Sequence, residues 1–352
     1  MAMVLKMPGF LSRPSWLPAR PSLPVPGWSW LRPKYPPVAF ELDPKCLSMA
    51  RIGRRKDETY LASFNVQELP AEMVELDFMK ARLSAPERFR EMVAQAMERD
   101  PGKLKGVSVI IPDSFARVAI LSFDEMPRRR ADAIELVRFK TRKAVPFKVE
   151  DAAVDFQVLP GDAAGVNVLA VLTPKAVVQE FESAFAAVGL QPGLVDLSTF
   201  SLINLYAPIL EKEMGATSEY LLANVTSTYF TFVIFRGPSL IFFRCKTFAA
   251  GFGDDGGEGA MRLLKRELQT SLVYYREKLG GSDLARAYLR VVDLDPEAVE
   301  RVFASVPEVL STVSIDPRRA VAADGRVSGA QGDRLLQRLA PAIGAATGRG
   351  GP

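Results

Sequence analysis

The 352-residue chain contains no histidine. Its absence removes the imidazole base, the usual serine or cysteine triad and any histidine-ligated metal from the mechanisms open to the protein. The two cysteines, Cys46 and Cys245, are too distant for a CxxC redox motif and too few for a disulfide framework. Both read as small apolar residues in a reducing cytoplasm. Charge of one sign is scarce as well: 45 Lys+Arg against 41 Asp+Glu leaves +4, too little to imply nucleic acid. There is no window of about 18 uncharged apolar residues, the length a spanning helix needs. The nearest, Tyr220 to Ile234, is broken by Asn224, Thr226, Ser227 and Thr228 and reads as β structure. The opening MAMVLKMPGF meets proline too early for a secretory apolar segment. We expect a cytoplasmic protein without a transmembrane span.

Apolar residues make up 48% of the chain, enough for two domains or one large bilobed body. Residues 1–37 carry nine prolines interleaved with Trp16, Trp28 and Trp30. That density removes backbone donors and forbids regular structure, so this part reads as an extended tail. A three-stranded meander follows (VAFEL, LSMARI, YLASFNVQEL), then a helix from Ala85 to Arg99 and a continuous apolar strand, VSVIIP, of the central type. RVAILSF and AAVDFQV alternate instead, as strands with one wet face do. Between them Arg128 to Ala144 reads as a helix with Ile134, Val137 and Val145 inward and Arg138, Lys140, Arg142 and Lys143 outward. A helix from Pro174 to Ala187 and the run VGLQPGLVDLSTFSLINLY complete the first half. The second half restarts with a hairpin, YLLANVTSTYFTFVIF and SLIFFRCKTFA, turning at Arg236-Gly237-Pro238. After the loop GFGDDGGEG, which lacks the Lys-Ser/Thr of a phosphate loop, a helix at 259–279 sets Met261, Leu264, Leu268, Leu272, Tyr275 and Leu279 on one stripe. The carboxylate pairs Asp124/Glu125 and Asp254/Asp255 sit in loops without a sugar-binding context.

Four runs in this order, IPDSFARVAIL, RFKTRKAVPFKVEDAAVDFQVL, AAVGLQPGLVDLSTFSLINLY and LQTSLVYYREKLG, resemble the type IV pilus assembly PilM family of the actin-like superfamily. The resemblance implies an α/β, actin-like (ribonuclease H-like) bilobed fold with an inserted 1C subdomain and a reduced or missing 2B subdomain. It divides the chain into the tail 1–37, lobe 1A at 38–113 plus 188–215, subdomain 1C at 114–187, lobe 2A at 216–345 and a disordered end at 346–352. It further implies a cytoplasmic scaffold, peripheral to the inner membrane, that binds the N-terminal peptide of a PilN-type membrane protein between 1A and 1C. Pilus motor or platform proteins and a second copy of the chain are further partners that it suggests, and nucleic acid is not among them. The basic helix offers contact with anionic headgroups or an acidic partner.

Members of this superfamily hold ATP on glycine-bearing hairpins, because backbone N–H groups approach phosphate only where no side chain intervenes. Where the family's first hairpin resembles V-G-I-D-I-G-S-S-S, this chain has VAFELDPKC, with Glu41 at the acid, Asp43 at a glycine, Pro44 in the turn and Lys45 after it. Where the second resembles V-D-I-G-A-S-T-T, it has ANVTSTYF, with Asn224 at the acid, Thr226 at a glycine and the hydroxyls of Ser227 and Thr228 beyond. The strand that should end in an adenosine-binding glycine turn reads AYLRVVDLDPEA. These seven residues, Glu41, Asp43, Lys45, Asn224, Thr226, Ser227 and Thr228, are the candidate remnants of a nucleotide site. We expect no catalytic residue, no metal and no useful ATP binding. An ATP-gated switch of the same machine, holding ATP and Mg through those hydroxyls, and an actin-like cell-division protein are the alternatives.

Overall fold

A computed structural model of the chain describes residues 35–348 apart from 57, 71–72, 75–82, 99–104, 160–164, 214–217, 249–256 and 324–326. The tryptophans of the tail and the first six residues of GFGDDGGEG lie outside the described residues. Val38–Asp43 (β1), Cys46–Arg55 (β2) and Glu58–Glu68 (β3) form the expected antiparallel meander. Gly106–Ile111 (β4) and Gln191–Leu197 (β8) add to it in parallel, giving the order β3-β2-β1-β4-β8. The second half repeats the plan. Glu219–Thr226 (β9), Tyr229–Arg236 (β10) and Ser239–Thr247 (β11) form a meander, and Arg286–Val292 (β12) and Thr312–Ser314 (β13) extend it in parallel as β11-β10-β9-β12-β13. Gly237, at φ 52°, supplies the left-handed corner between β10 and β11.

Pro86–Glu98 (α1) and Lys175–Ala186 (α3) cover one face of the first sheet, where Phe185 of α3 meets Phe40 of β1 and Phe89 of α1 edge to face. Glu258–Leu279 (α5) and Pro296–Ala304 (α6) cover the far face of the second sheet through Leu264, Leu268, Leu272, Val299 and Phe303. Met261 and Leu279, expected on that buried stripe, are half-buried at its rim. Between the sheets lie Ser198–Glu213 (α4) and Gly329–Thr347 (α7), whose apolar side chains share one core with β1, β2, β9 and β12. Ten residues lie between Thr247 of β11 and Glu258 of α5.

Arg117–Phe123 (β5), Ala152–Val158 (β6) and Val166–Pro174 (β7) make a separate antiparallel sheet, β5-β7-β6. Arg130–Thr141 (α2) packs on it through Ala133 and Val137. Two domain boundaries shift. The helix α3, assigned by sequence to the inserted unit, buries Val177, Phe181 and Phe185 in the first core, because its apolar stripe faces the first sheet. The helix α7 likewise leaves lobe 2A and packs against α4 and the first sheet. It also runs into the segment expected to be disordered, with Ala345 and Ala346 buried. At the other end, Tyr35–Pro37 belong to the body: Pro37 O accepts from Ile52 N at 2.8 Å, and the Tyr35 ring lies against Gly348. On α2, Ile134 is only half-buried, and two of the outward cations are tied down. Arg138 donates to the carbonyls of Val149 and Ala152, at 3.1 and 3.2 Å, and Lys140 donates to Ser122 O while lying over the Phe123 ring.

Close approach of α4 and α7 depends on Gly344, where an added Cβ would stand 1.9 Å from Ser201 O. Gly344→Ala is expected to lower Tm by roughly 5 °C, the scale of overpacking in a chain of this size, whereas Gly106→Ala, with open space around it, leaves Tm unchanged in the same thermal melt.

Glu219 joins the start of β9 to the end of α5. It accepts from Arg236 Nε at 2.5 Å and from Ser282 N and Oγ at 2.7 and 2.5 Å. Burial acts to raise its carboxyl, but the Ser282 and Arg236 bonds outweigh burial and hold it at about 2. A carboxyl more acidic when folded stabilises the fold above its ordinary value of 4.5 and loses that contribution as pH falls toward 2. Glu219→Gln should therefore lower Tm clearly at pH 7, and the gap to the unaltered chain should narrow steadily below pH 4.5 in a pH series of melts.

Candidate functional site

The seven residues singled out from sequence fall into two groups, the turns of the first hairpin of each sheet and a buried pair between the two sheets. At the first hairpin, Asp43 pairs with Cys46 across a two-residue turn of Pro44 and Lys45. Asp43 Oδ1 accepts from Lys45 N at 3.0 Å, closing an Asx turn that proline favours. Its Oδ2 is buried without a hydrogen-bond partner, and burial raises its carboxyl. Lys45 is exposed. At the second hairpin, Thr226 Oγ1 accepts from Thr228 N and Tyr229 N at 3.2 and 3.1 Å. The hydroxyl of Thr228 lies 3.0 Å from it, while Ser227 Oγ is buried without a partner. Both turns consume, with their own side chains, N–H groups of the kind that a phosphate-binding hairpin leaves open.

Glu41 and Asn224 lie deeper, one on each lobe, and the structure brings them together through a residue that sequence reading passed over. Arg290, on β12, is 1% exposed. Its Nη2 is 3.0 Å from Glu41 Oε2, its Nη1 donates to Asn224 Oδ1 at 3.0 Å and Ser198 Oγ at 3.2 Å, and its Nε donates to Gln337 O at 2.8 Å. Ser198 Oγ also donates to Glu41 Oε1 at 2.9 Å. Burial pushes the Glu41 carboxyl up to about 7, against the pull of the Arg290 guanidinium. The neighbouring floor is Asp113, which follows β4. It accepts from Thr199 N at 3.0 Å and Thr231 Oγ1 at 2.7 Å, and from Thr199 Oγ1 and Asn224 Nδ2. The N-terminus of α4 thus points the N–H of Thr199 at a carboxylate of the chain itself. Burial raises Asp113 too. An arginine in the middle of the otherwise apolar strand AYLRVV was the one available signal for this network.

The third element, where the resemblance implies a glycine turn, carries Asp293. Asp293 after β12 adopts φ 57°, the left-handed conformation that a glycine turn would use, and its carboxylate meets Arg338 at 2.5 Å. A cavity of about 1580 Å³ lies beside it, under the N-terminus of α5 and against α6 and α7. Its cations are largely matched within the chain, Arg262 to Glu258, Arg301 to Asp295 and Arg338 to Asp293. No residue of either hairpin lines it.

Removing one member of a buried ion pair leaves the other charge uncompensated, at a cost of about 3–5 kcal/mol. Arg290→Met should lower stability on that scale in urea unfolding, and adding Glu41→Gln to it should restore a substantial part of the loss.

Comparison with solved structures aligns 90% of this chain with 98% of a chain from a PilM-PilN type IV pilus biogenesis complex, at TM-score 0.71 and 16% identity. A protein of Bacteroides thetaiotaomicron with an actin-like ATPase fold and unknown function aligns over 88% of this chain and 97% of that one, at TM-score 0.49 and 10% identity. The cytoplasmic domain of EpsL, an inner-membrane component of the type II secretion system of Vibrio cholerae, aligns over 86% and 93%, at TM-score 0.42 and 10% identity. No curated protein matches by sequence. At these identities the first likeness is one of fold alone, and it is the α/β arrangement of two related sheets described above. Comparison with protein families matches residues 47–253, more than half of the chain, to the type IV pilus assembly protein PilM. The chain belongs to the type IV pilus assembly protein PilM family.

Proposed function

We propose that this protein is a non-catalytic scaffold of a type IV pilus assembly machine, cytoplasmic and held at the inner membrane by its partner. That partner is the N-terminal cytoplasmic segment of a PilN-type protein. The reading of the partner is supported by the fold shared with the chain of the PilM-PilN complex. Among the described residues no helix is long and apolar enough to cross a membrane, so recruitment through a partner is the consistent arrangement.

The scaffold works without ATP. The observation that carries this reading is Arg290, whose buried guanidinium joins Glu41 of one sheet to Asn224 of the other. ATP and Mg fit the surrounding residues poorly. Asp43 would oppose phosphate with an unpartnered carboxylate oxygen, Pro44 offers no donor, and the N–H groups of Lys45, Thr228 and Tyr229 are already taken. Asn224 supplies no charge to a metal-bound water. Losing two or three charge-assisted hydrogen bonds to phosphate, each worth about 1.5–3 kcal/mol, moves a micromolar site to millimolar or weaker.

Calorimetric titration of Mg-ATP should accordingly show no saturable binding in the micromolar range. Titration of the partner's N-terminal peptide should give the same Kd, within about twofold, with and without ATP. A micromolar ATP constant, or a change of about tenfold in peptide affinity, would instead establish the ATP-gated switch.

A further inference from the structure

A short pattern recurs three times near the start of the chain: an aromatic residue, a leucine and, within three positions of the leucine, an arginine. It reads Phe10-Leu11-Ser12-Arg13, then Trp16-Leu17-Pro18-Ala19-Arg20, then Trp30-Leu31-Arg32. With Lys6 and Lys34 these arginines make five cations in residues 1–34, and all 41 Asp+Glu of the chain lie beyond them. The net charge of +4 therefore resides in this stretch. The chain's three tryptophans, Trp16, Trp28 and Trp30, are here too. Segments that stay in water without a partner are poor in aromatic residues, so this composition points to a ligand with both apolar and anionic surface.

The folded body fixes where this stretch is attached. Pro37 O accepts from Ile52 N at 2.8 Å, the Pro36 ring lies against Gly193, and the Tyr35 ring lies against Gly348. Burial raises the Tyr35 hydroxyl, as it does for any phenol taken out of water. Pro33 and Lys34 alone separate the third unit from this root. The root sits at the end of the first sheet where β2 turns into β3, and Arg54, Arg55 and Lys56 are exposed there, with Glu58 exposed after them. Lys105 is exposed at the same end, before β4, which runs parallel to β1. None of these four cations makes an ion pair among the described residues.

Two ligands combine anionic and apolar surface: single-stranded nucleic acid, whose bases stack on aromatic rings, and a lipid bilayer. Leucine decides between them, since an aliphatic side chain is no stacking platform but partitions into acyl chains, while tryptophan settles at the headgroup boundary. We propose that residues 1–34 bind an anionic lipid bilayer. Each aromatic–leucine pair enters the boundary region, the arginine after it meets headgroup phosphates, and the cations of the β2–β3 turn are brought to the same surface. The prolines bar a helix, so the stretch lies on the bilayer and does not span it. This contact belongs to the chain itself and does not rest on the PilN-type reading; beside a membrane-borne partner it makes the attachment bivalent.

Since no tryptophan lies outside this stretch, tryptophan emission of the full chain reports on it alone. The probe is a vesicle of phosphatidylcholine and phosphatidylglycerol, with pure phosphatidylcholine as the neutral control. Anionic vesicles are expected to shift the emission to the blue and to sediment the protein, with an affinity about tenfold or more above that for neutral vesicles and reduced by salt. Each cation at such a surface is worth about fivefold, so the Arg13→Gln, Arg20→Gln, Arg32→Gln variant should bind about a hundredfold more weakly, and Arg54→Gln with Lys56→Gln roughly tenfold. The Phe10→Ala, Trp16→Ala, Trp30→Ala variant keeps Trp28 as reporter and should lose about tenfold or more. Thermal melts check that every variant is folded. The proposal is overturned if anionic vesicles neither shift the emission nor sediment the protein at millimolar lipid, if neutral vesicles bind as well, or if any of the three variants binds unchanged. It is equally overturned if the emission is already blue-shifted without lipid, or if single-stranded DNA binds the stretch more tightly than the vesicles do.

Discussion

A guanidinium removed from water must find a partner for its charge and for its donors, and at Arg290 that requirement reaches into both lobes at once. Its partners come from β1, β9, α4 and α7, which means that two sheets and the two helices between them must already be in place before the charge is satisfied. A buried ion pair is seldom the strongest way to stabilise a core; its leverage is that every incomplete arrangement leaves an uncompensated charge. Closure of the lobes and completion of the hydrogen-bond network are therefore one event. The carboxylate of Asp113 extends the same condition to the N-terminus of α4 and to Thr231 on β10.

The two sheets have the same strand order and the same pattern of antiparallel and parallel neighbours, yet their first hairpins close differently. One uses an aspartate before proline, the other a threonine two residues before the N–H groups it accepts. Each is an ordinary local solution for a tight turn, and each spends the backbone donors on the turn itself. A side chain at either turn therefore does more than limit access: it takes up backbone donors that would otherwise be open. Asp293 adopts the left-handed backbone that glycine takes most readily, and its carboxylate is tied to Arg338 of α7.

Period and continuity made most of the architecture legible. VSVIIP stood out as a central strand, and it is buried on both faces; RVAILSF reads as alternating, and the strand is instead half-buried along most of its middle. What local pattern lacks is the identity of the opposing surface. The stripes of α3 and α7 were readable, but not that both face the first sheet. Arg138 looked like a solvated helix cation, and its long stem instead carries it back to carbonyls 11 and 14 residues further on. At the candidate site, the substitutions at Asp43 and Thr226 were visible in the aligned hairpins, whereas Arg290 was not. Its partner Glu41 lies 249 residues away in sequence, and no spacing rule spans that distance.

The buried arginine has a further consequence for regulation. A soluble ligand that cements two lobes stabilises them by an amount that rises and falls with its concentration. Arg290 is carried on β12 and has no concentration to vary: wherever the chain is folded, the cation is present beside Glu41. A joint of this kind is altered by changing the polypeptide, not by diluting a ligand.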